Sequence, residues 1–402
     1  MGETRASAHS LVSDLVQDGK GLILLTVGIG WFFSIGVRFA YPTLLPFFQT
    51  SFGISLSVAS LLISLLWVAY AIGQFPGGVL GDRFGEGNIL VASTFLSLVG
   101  ITAVALANTV YVLAAGTIAF GLATALYGPT RYTIFTDIYS DRSGVAVGIT
   151  MAAGSIGNSM LPVLAAIVAS YASWRFGFGA LIPVFVVLTF ALWFFVPSRT
   201  SSPINDNNSV SIETVRQVLN ATRSGGIPIL VFAHTVAGFV SQGFLALYPT
   251  YLVSVKGFSP SVAATIYSLY FAVGVAVQPL TGTVRDRFGP RLTLMVVLGI
   301  YAVCLLLLPL INGLLMIGIL TVFLSSRNGA GVVTNTFIST SLSSEIKGSG
   351  LGLLRTVWIL IGATSPAVIG YFGDAGYLEQ AFFALALLAV SATILALFIP
   401  DQ

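Results

Sequence analysis

The feature that most constrains this chain is a succession of apolar stretches, each about as long as a bilayer is thick. A helix needs about 20 apolar residues to cross the hydrocarbon core. Twelve stretches reach that length: 21–48, 57–80, 88–107, 110–135, 143–169, 175–197, 227–253, 260–283, 291–311, 314–340, 347–372 and 377–399. Charged residues make up 8% of the chain, against about 25% in a typical soluble domain. So few charges cannot cover a water-facing surface, and the solvent of this fold is lipid. The expectation is an all-α membrane protein with twelve transmembrane helices.

Several links between stretches are one or two turn residues, such as Asn108 or Asn312-Gly313, which implies antiparallel neighbours. The longest polar stretch, 198–226, divides the chain into an N-terminal segment 1–20, a six-helix bundle 21–197, a central loop, and a second six-helix bundle 227–399. Within the loop, 211–221 reads either as a short amphipathic helix or as plain linker. Residues 1–20 lack the apolar core of a signal peptide. Leu11, Val12, Leu15 and Val16 share one helical face, which suits either a surface helix or an irregular terminus.

Lys and Arg placement sets the orientation. With the N-terminus inside, the inner segments hold eleven of the 17 basic residues, the outer segments hold Arg175 and Lys256, and four lie within the spans. Both termini are therefore expected on the cytoplasmic side of the cell membrane.

Composition also excludes classes. No basic cluster marks a nucleic-acid surface. Cys304 is the single cysteine, so no internal disulfide or thiolate metal site is expected. The spans hold no His/Asp/Glu cluster for a metal, and the chain has no phosphate loop of the Walker type. No cofactor, metal or enzymatic activity is expected. The oligomeric state stays open, and a monomer is compatible with the sequence.

The halves match at an offset of 204 residues. Gln74 pairs with Gln278, Gly78 with Gly282, and Asp82-Arg83-Phe84-Gly85 with Asp286-Arg287-Phe288-Gly289. Gly144, Gly148 and Pro162 pair with Gly348, Gly352 and Pro366. Tyr41-Pro42-Thr43 recurs as Tyr248-Pro249-Thr250 at an offset of 207. A duplicated six-helix unit is the arrangement expected when two halves rock about a central site.

GGVLGDRFG (77–85) and TGTVRDRFGPR (281–291) resemble the G-x-x-x-D-R-x-G-R/K motif of the major facilitator superfamily. Both copies fall where that family has it, in the loops after helices 2 and 8. The resemblance implies two pseudo-symmetric six-helix bundles and secondary transport by alternating access. It also implies a conformational latch formed by Gly78, Asp82, Arg83, Gly85, Gly282, Asp286, Arg287, Gly289 and Arg291. Glu86-Gly87-Asn88 replaces the usual basic residues after the first copy, which predicts a weaker latch there. DRSGVAVG (141–148) and EIKGSGLG (345–352) resemble the family's loops into helices 5 and 11, with spacing suited to close helix packing.

Arg38, Arg131, Arg327 and Arg355 lie within the predicted spans, whereas the 14 acidic residues fall in predicted loops or tails or, for Glu379, at the very start of the last span. A charge at mid-bilayer costs roughly 2.5–3.5 kcal/mol on insertion scales and so has a role. Four cations without an acid predict a partner from outside, a small organic anion, which arginine can hold bidentately. Arg38 and Arg327 lie deepest, and Arg131 is near enough to a helix end to reach the interface. Arg38 to Pro46 resembles helix 1 of organic-anion and organophosphate members, where an arginine contacts the substrate anion. Arg131 is similar in placement to a helix 4 arginine of sugar-acid transporters. Thr117 stands where drug antiporters of the family carry an arginine, and GSIGNSMLP (154–162) lacks their Gly-Pro pair.

Tyr41, Gln242 and Tyr270 join the four arginines as candidate substrate contacts. Tyr70, Asn158, Tyr248, Tyr267, Asn335 and Trp358 are further polar or aromatic residues on the path. His234 is a candidate proton site, with packing the plainer role. The expected protein is thus a symporter or antiporter for a small organic anion, with or without a coupling ion. An exporter of hydrophobic compounds and a non-transporting membrane receptor are the alternatives.

Overall fold

The computed structural model describes residues 17–139, 142–200, 226–342 and 347–400. The surface-helix and amphipathic-linker expectations at 11–16 and 211–221 lie outside these residues. The chain forms eleven long helices: α1 (Lys20–Phe52), α2 (Leu56–Phe84), α3 (Glu86–Ala105), α4 (Val110–Ile138), α5 (Ser143–Tyr171), α6 (Trp174–Phe195), α7 (Ile227–Ser254), α8 (Pro260–Leu307), α9 (Leu314–Ser341), α10 (Lys347–Asp374) and α11 (Leu378–Ala396). Helix α8 has 48 residues, about 72 Å at 1.5 Å per residue, more than twice the thickness of a hydrocarbon core. Gly289 interrupts it with φ 80° and ψ 166°, so its two arms are separate spans. The twelve expected crossings are therefore present. The face carrying the ends of α1 and α11 is called the terminal face, and the other the far face.

The repeat is visible in the backbone. Helices α2 and α8 start at Leu56 and Pro260, α4 and α9 at Val110 and Leu314, α5 and α10 at Ser143 and Lys347, and α6 and α11 at Trp174 and Leu378. Each pair is 204 residues apart. Ser55 and Ser259 cap α2 and α8 by accepting from the N–H groups of Val58 and Val262, an N-cap role suited to serine. Gly53 and Gly257 take positive φ before those caps, and Gly85 and Gly289 take it at the opposite ends of α2 and its counterpart arm. The bundles also share a buried bond. Tyr41 and Tyr248 reach Thr117 and Thr321 at 3.2 and 2.6 Å. Each threonine hydroxyl donates at 2.7 Å to the carbonyl four residues earlier, so each phenol is the donor to its threonine.

The helices run further than the apolar stretches, which corrects one expectation. Asp82, Glu86, Asp137, Asp286, Asp374 and Glu379 lie in helical end turns or beside the Gly289 break, not in loops. Glu86 opens α3 and is buried. A carboxylate is favoured at a helix N-terminus by the helix dipole. The segment after α6 folds over this corner. The Glu86 carboxylate accepts from the Thr200 N–H at 3.1 Å, and Asp137 accepts from the Thr200 hydroxyl at 2.8 Å. Arg199 donates to the terminal carbonyls of α2, at Asp82 and Arg83.

The two bundles meet along α2–α10 and α5–α8, and this seam differs from end to end. At the far face, Asp374 of α10 accepts from the N–H groups of Leu56 at 2.6 Å and Ser57 at 3.0 Å, and from the Ser57 hydroxyl. Together with Ser55 it satisfies three of the N–H groups that a helix start leaves unpaired. Ser64 accepts from the Ala367 N–H at 3.1 Å. Gly370 packs so closely on Ser60 that a Cβ there would overlap the serine side chain. At the terminal face, Gly144, Gly148 and Gly352 have open space where a Cβ would lie. The seam is closed at the far face and loose at the terminal face.

Candidate substrate site

Arg38 lies midway along α1 and is 1% exposed. Its Nε donates to the Ser34 carbonyl at 3.1 Å, a contact within its own helix. Its guanidinium carbon sits 3.8 Å from the Tyr70 ring centroid, 5.3 Å from Trp67 and 5.5 Å from Trp31. Neither Nη1 nor Nη2 meets an acceptor with hydrogen-bond geometry. A desolvated cation–π contact contributes on the order of 2 kcal/mol, comparable with the cost of burying the charge. The aromatic rings therefore compensate the charge, but they leave the donors of both terminal nitrogens unused.

Arg131 of α4 is 2% exposed and does not reach for the interface. Its guanidinium stacks 3.4 Å from the centroid of the same Trp31 and 4.1 Å from Tyr132. Nη1 donates to the Gly128 carbonyl at 2.9 Å, and Nη2 to the Tyr132 hydroxyl at 2.7 Å with Met151 Sδ at 3.5 Å. Met151 is exposed, so this side of the cluster opens outward. Arg355, across the seam on α10, is exposed and close enough to act electrostatically on Arg38, Tyr70 and Arg131. The structure thus brings together three of the four arginines, from both bundles. At an effective dielectric constant of about 20, two unit charges 8 Å apart repel by roughly 2 kcal/mol. The cluster thus holds positive charges that repel one another, with no acidic side chain among its described contacts.

Arg327 belongs to a different neighbourhood. It opens the second segment of α9, after the bend at Ser325-Ser326, and its Nε donates to the Ala237 carbonyl at 3.3 Å. Its field falls on His234, Tyr270 and Tyr301. His234 shares a 3.0 Å hydrogen bond with Thr334 and packs edge-on to Trp358. Tyr270 is buried among Phe271 and Phe244. Gln242 lies against Gly362 of α10. Tyr41 is fully buried, bonded to Thr117 and packed on Phe48 and Phe178 within the first bundle.

In the two Asp-Arg-Phe-Gly segments, Asp82, Arg83, Asp286 and Arg287 are exposed. Arg285 pairs with its neighbour Asp286 at 3.1 Å. Gly78 and Gly282 face Pro129 and Val332 of their own bundles.

Trp31 is the residue that sequence reading missed, because an aromatic in an apolar helix reads as packing. Its signal was its register, seven residues or about two turns before Arg38. A separate apolar groove of about 510 Å³ lies between α7, α10 and α11, lined by Val231, Phe232, Phe239, Leu354, Ile361 and Leu388.

The Major Facilitator Superfamily model matches residues 27–344. The chain belongs to this family. It is therefore a multi-pass membrane transport protein that binds small molecules, and not an enzyme. It is 22% identical over 381 residues to the probable sulfoacetate transporter SauU of Cupriavidus necator, covering 88% of this chain and 87% of that one. It is 24% identical over 400 residues to the putative multidrug resistance protein MdtD of Pectobacterium atrosepticum, covering 86% of each. Its fold is similar to that of a bacterial homologue of the human lysosomal transporter Spinster, with a TM-score of 0.81, 16% identity, and 95% and 97% of the two chains covered.

Proposed function

We propose that the protein is a secondary transporter of a small organic anion, working by alternating access between the bundles 21–197 and 227–399. The observation that carries this reading is the buried arginine cluster. Arg38 and Arg131 are enclosed, Arg38 has two nitrogens without acceptors, and the acidic side chains of the described residues stand only at helix ends. An anion entering beside Met151 and Arg355 supplies what the cluster lacks. Sulfoacetate, for which SauU is named a probable transporter, is an anion, which agrees with this reading. Arg327, Gln242 and Tyr270 then form the facing wall contributed by the second bundle.

The positive-inside pattern supports a cytoplasmic terminal face in the cell membrane. Arg83, Arg142, Arg199, Arg285, Arg287 and Arg291 lie on that face, and Arg175 and Lys256 on the other. The loose terminal end of the seam then corresponds to an inward-open state, in which the exposed Asp82 and Asp286 segments are disengaged latches. Family membership favours transport over a non-transporting receptor.

The apolar α7–α10–α11 groove favours a second reading, export of a hydrophobic compound, to which the likeness to MdtD also speaks. Counterflow in liposomes separates the two. The protein is reconstituted and challenged with a panel of carboxylates, sugar acids, phosphate esters, neutral sugars and lipophilic cations. Competition confined to anions is the expected result. Competition by neutral or cationic compounds, with no anion effective, overturns the anion reading in favour of the groove.

A further inference from the structure

Trp31 does more than fill space between helices. It is 3% exposed and held on every side. Its indole nitrogen lies where any side chain larger than glycine at position 154 would collide with it. Tyr127 stacks on it at 6.3 Å and 20° and is itself pinned by donating to the Val27 carbonyl at 2.9 Å. Against this fixed ring stand two arginines, one 3.4 Å and the other 5.5 Å from the centroid. The two guanidinium carbons are therefore no more than about 9 Å apart, the sum of those two distances.

We propose that Trp31 is a specificity-determining residue. By holding Arg38 and Arg131 as a pair, it makes the site select a head group with two negative charges over a matched head group with one. The proposal rests on the anion reading above and refines it. An aromatic face attracts a cation through its quadrupole, and it does so without occupying N–H donors. Trp31 thus steadies both charges in the empty protein while leaving the Arg38 Nη1 and Nη2 donors for incoming oxygens. A singly charged ligand answers one buried guanidinium and leaves the other uncompensated in a low dielectric, with Arg355 adding a third positive field. A doubly charged ligand answers both. On binding, Arg131 exchanges its weak partners, the Tyr132 hydroxyl and Met151 sulfur, for an anionic oxygen, and keeps its bond to the Gly128 carbonyl. The second bundle has no such pair. At the 207-residue offset that relates α1 to α7, Trp31 and Arg38 correspond to Gly238 and Leu245, and Asn335 stands 204 residues after Arg131, so the tryptophan-held pair belongs to the first bundle.

The test uses two matched pairs of probes on the full-length protein: methyl phosphate against dimethyl phosphate, and phenyl phosphate against methyl phenyl phosphate. Apparent affinities come from thermal stabilisation and from inhibition of counterflow. In the unaltered protein each dianion is expected to bind about tenfold or more tightly than its partner, because one additional charge-assisted contact is made. The affinity for methyl phosphate should rise between pH 5 and 7, since its second proton leaves near pH 6, about as for other phosphate monoesters. Trp31→Phe, which keeps an aromatic face, should preserve the ratio. Trp31→Leu, which keeps bulk alone, should bring it toward one. A ratio near one in the unaltered protein, with both members binding, overturns the proposal and leaves the anion reading standing. Failure of both dianions to bind also overturns it, because recognition is assigned to the head group. An unchanged ratio in folded Trp31→Leu removes Trp31 from the role. If that variant does not fold, the ratio and pH profile of the unaltered protein still decide the charge rule.

Discussion

At positions 31, 38 and 131 the first bundle stacks two arginines on one tryptophan. At the matching positions, 207 residues later in α7 and 204 later in α9, the second bundle has Gly238, Leu245 and Asn335. The surrounding framework is the same in both, including the serine caps, the positive-φ glycines and the Tyr–Thr bond. Duplication thus supplied a common backbone, and the tryptophan-bound arginine pair was then placed on one side of it. On the proposed function, the symmetric residues hold the fold and the asymmetric ones read the substrate. This division breaks first if an asymmetric residue turns out to be replaceable.

The largest expected effect is therefore at Arg38. Arg38→Gln removes two free donors and a buried charge while keeping a polar side chain. Counterflow of the best anionic competitor should fall by about 100-fold, corresponding to about 2.7 kcal/mol of lost anion contacts. Thermal stability should hold or rise, because the burial cost of the cation disappears with it. Transport at the original rate would remove Arg38 from the site.

Much of this framework was legible in the sequence. Hydropathy gave the crossings, and the paired Asp-Arg-Phe-Gly segments gave the repeat and its register. Length and composition suffice there, because lipid accepts so few alternatives to a helix. The arginines were visible as charges in apolar segments, but their grouping was not. Nothing in sequence spacing places Arg131 over Trp31 or brings Arg355 across a seam, since these meetings depend on how helices pack. Arg131, a candidate contact near enough to a helix end to reach the membrane surface, folds inward onto an aromatic ring. The acidic residues at helix ends were hidden for a related reason. Hydropathy marks where apolar segments stop, whereas helices continue through polar end turns such as Asp82 and Glu86.

A second asymmetry lies on the far face and carries the next largest effect. Asp374 of α10 caps the start of α2 across the seam. The residue at its repeat position, Ser170, bonds to the Ala166 carbonyl of its own helix instead. Closure of the far face is thus fastened on one seam by the Asp374 charge, whereas the Ser170 hydroxyl at the matching place on the other stays within its own helix. Asp374→Asn keeps the size and removes the charge. It should shift the far-face equilibrium toward opening by about tenfold, the scale of a charge-assisted bond at a helix N-terminus. The readout is labelling of Ser60→Cys by a membrane-impermeant maleimide, with Cys304→Ala clearing the background. Ser170→Ala should leave that rate unchanged. Equal labelling in the Asp374 and Ser170 variants would show that the two seams are fastened alike.

The smallest effect tests the symmetric side of the comparison. Tyr41→Phe and Tyr248→Phe each delete one buried hydrogen bond and keep the ring. Each should lower stability by about 1 kcal/mol, the net value of a neutral hydrogen bond. The losses should match, because Thr117 and Thr321 both keep their bonds to the helix behind them. Thermal unfolding in detergent measures the loss, and counterflow should change by less than about twofold, since a shift of a few tenths of a kcal/mol alters rates no further. Tyr41 was a candidate substrate contact on sequence grounds, so this pair also decides its place. If Tyr41→Phe stops transport at unchanged stability while Tyr248→Phe does not, Tyr41 joins the asymmetric residues that read the substrate. If both variants behave alike, the Tyr–Thr bond is part of the frame, and substrate contact in the first bundle narrows to the residues around Trp31.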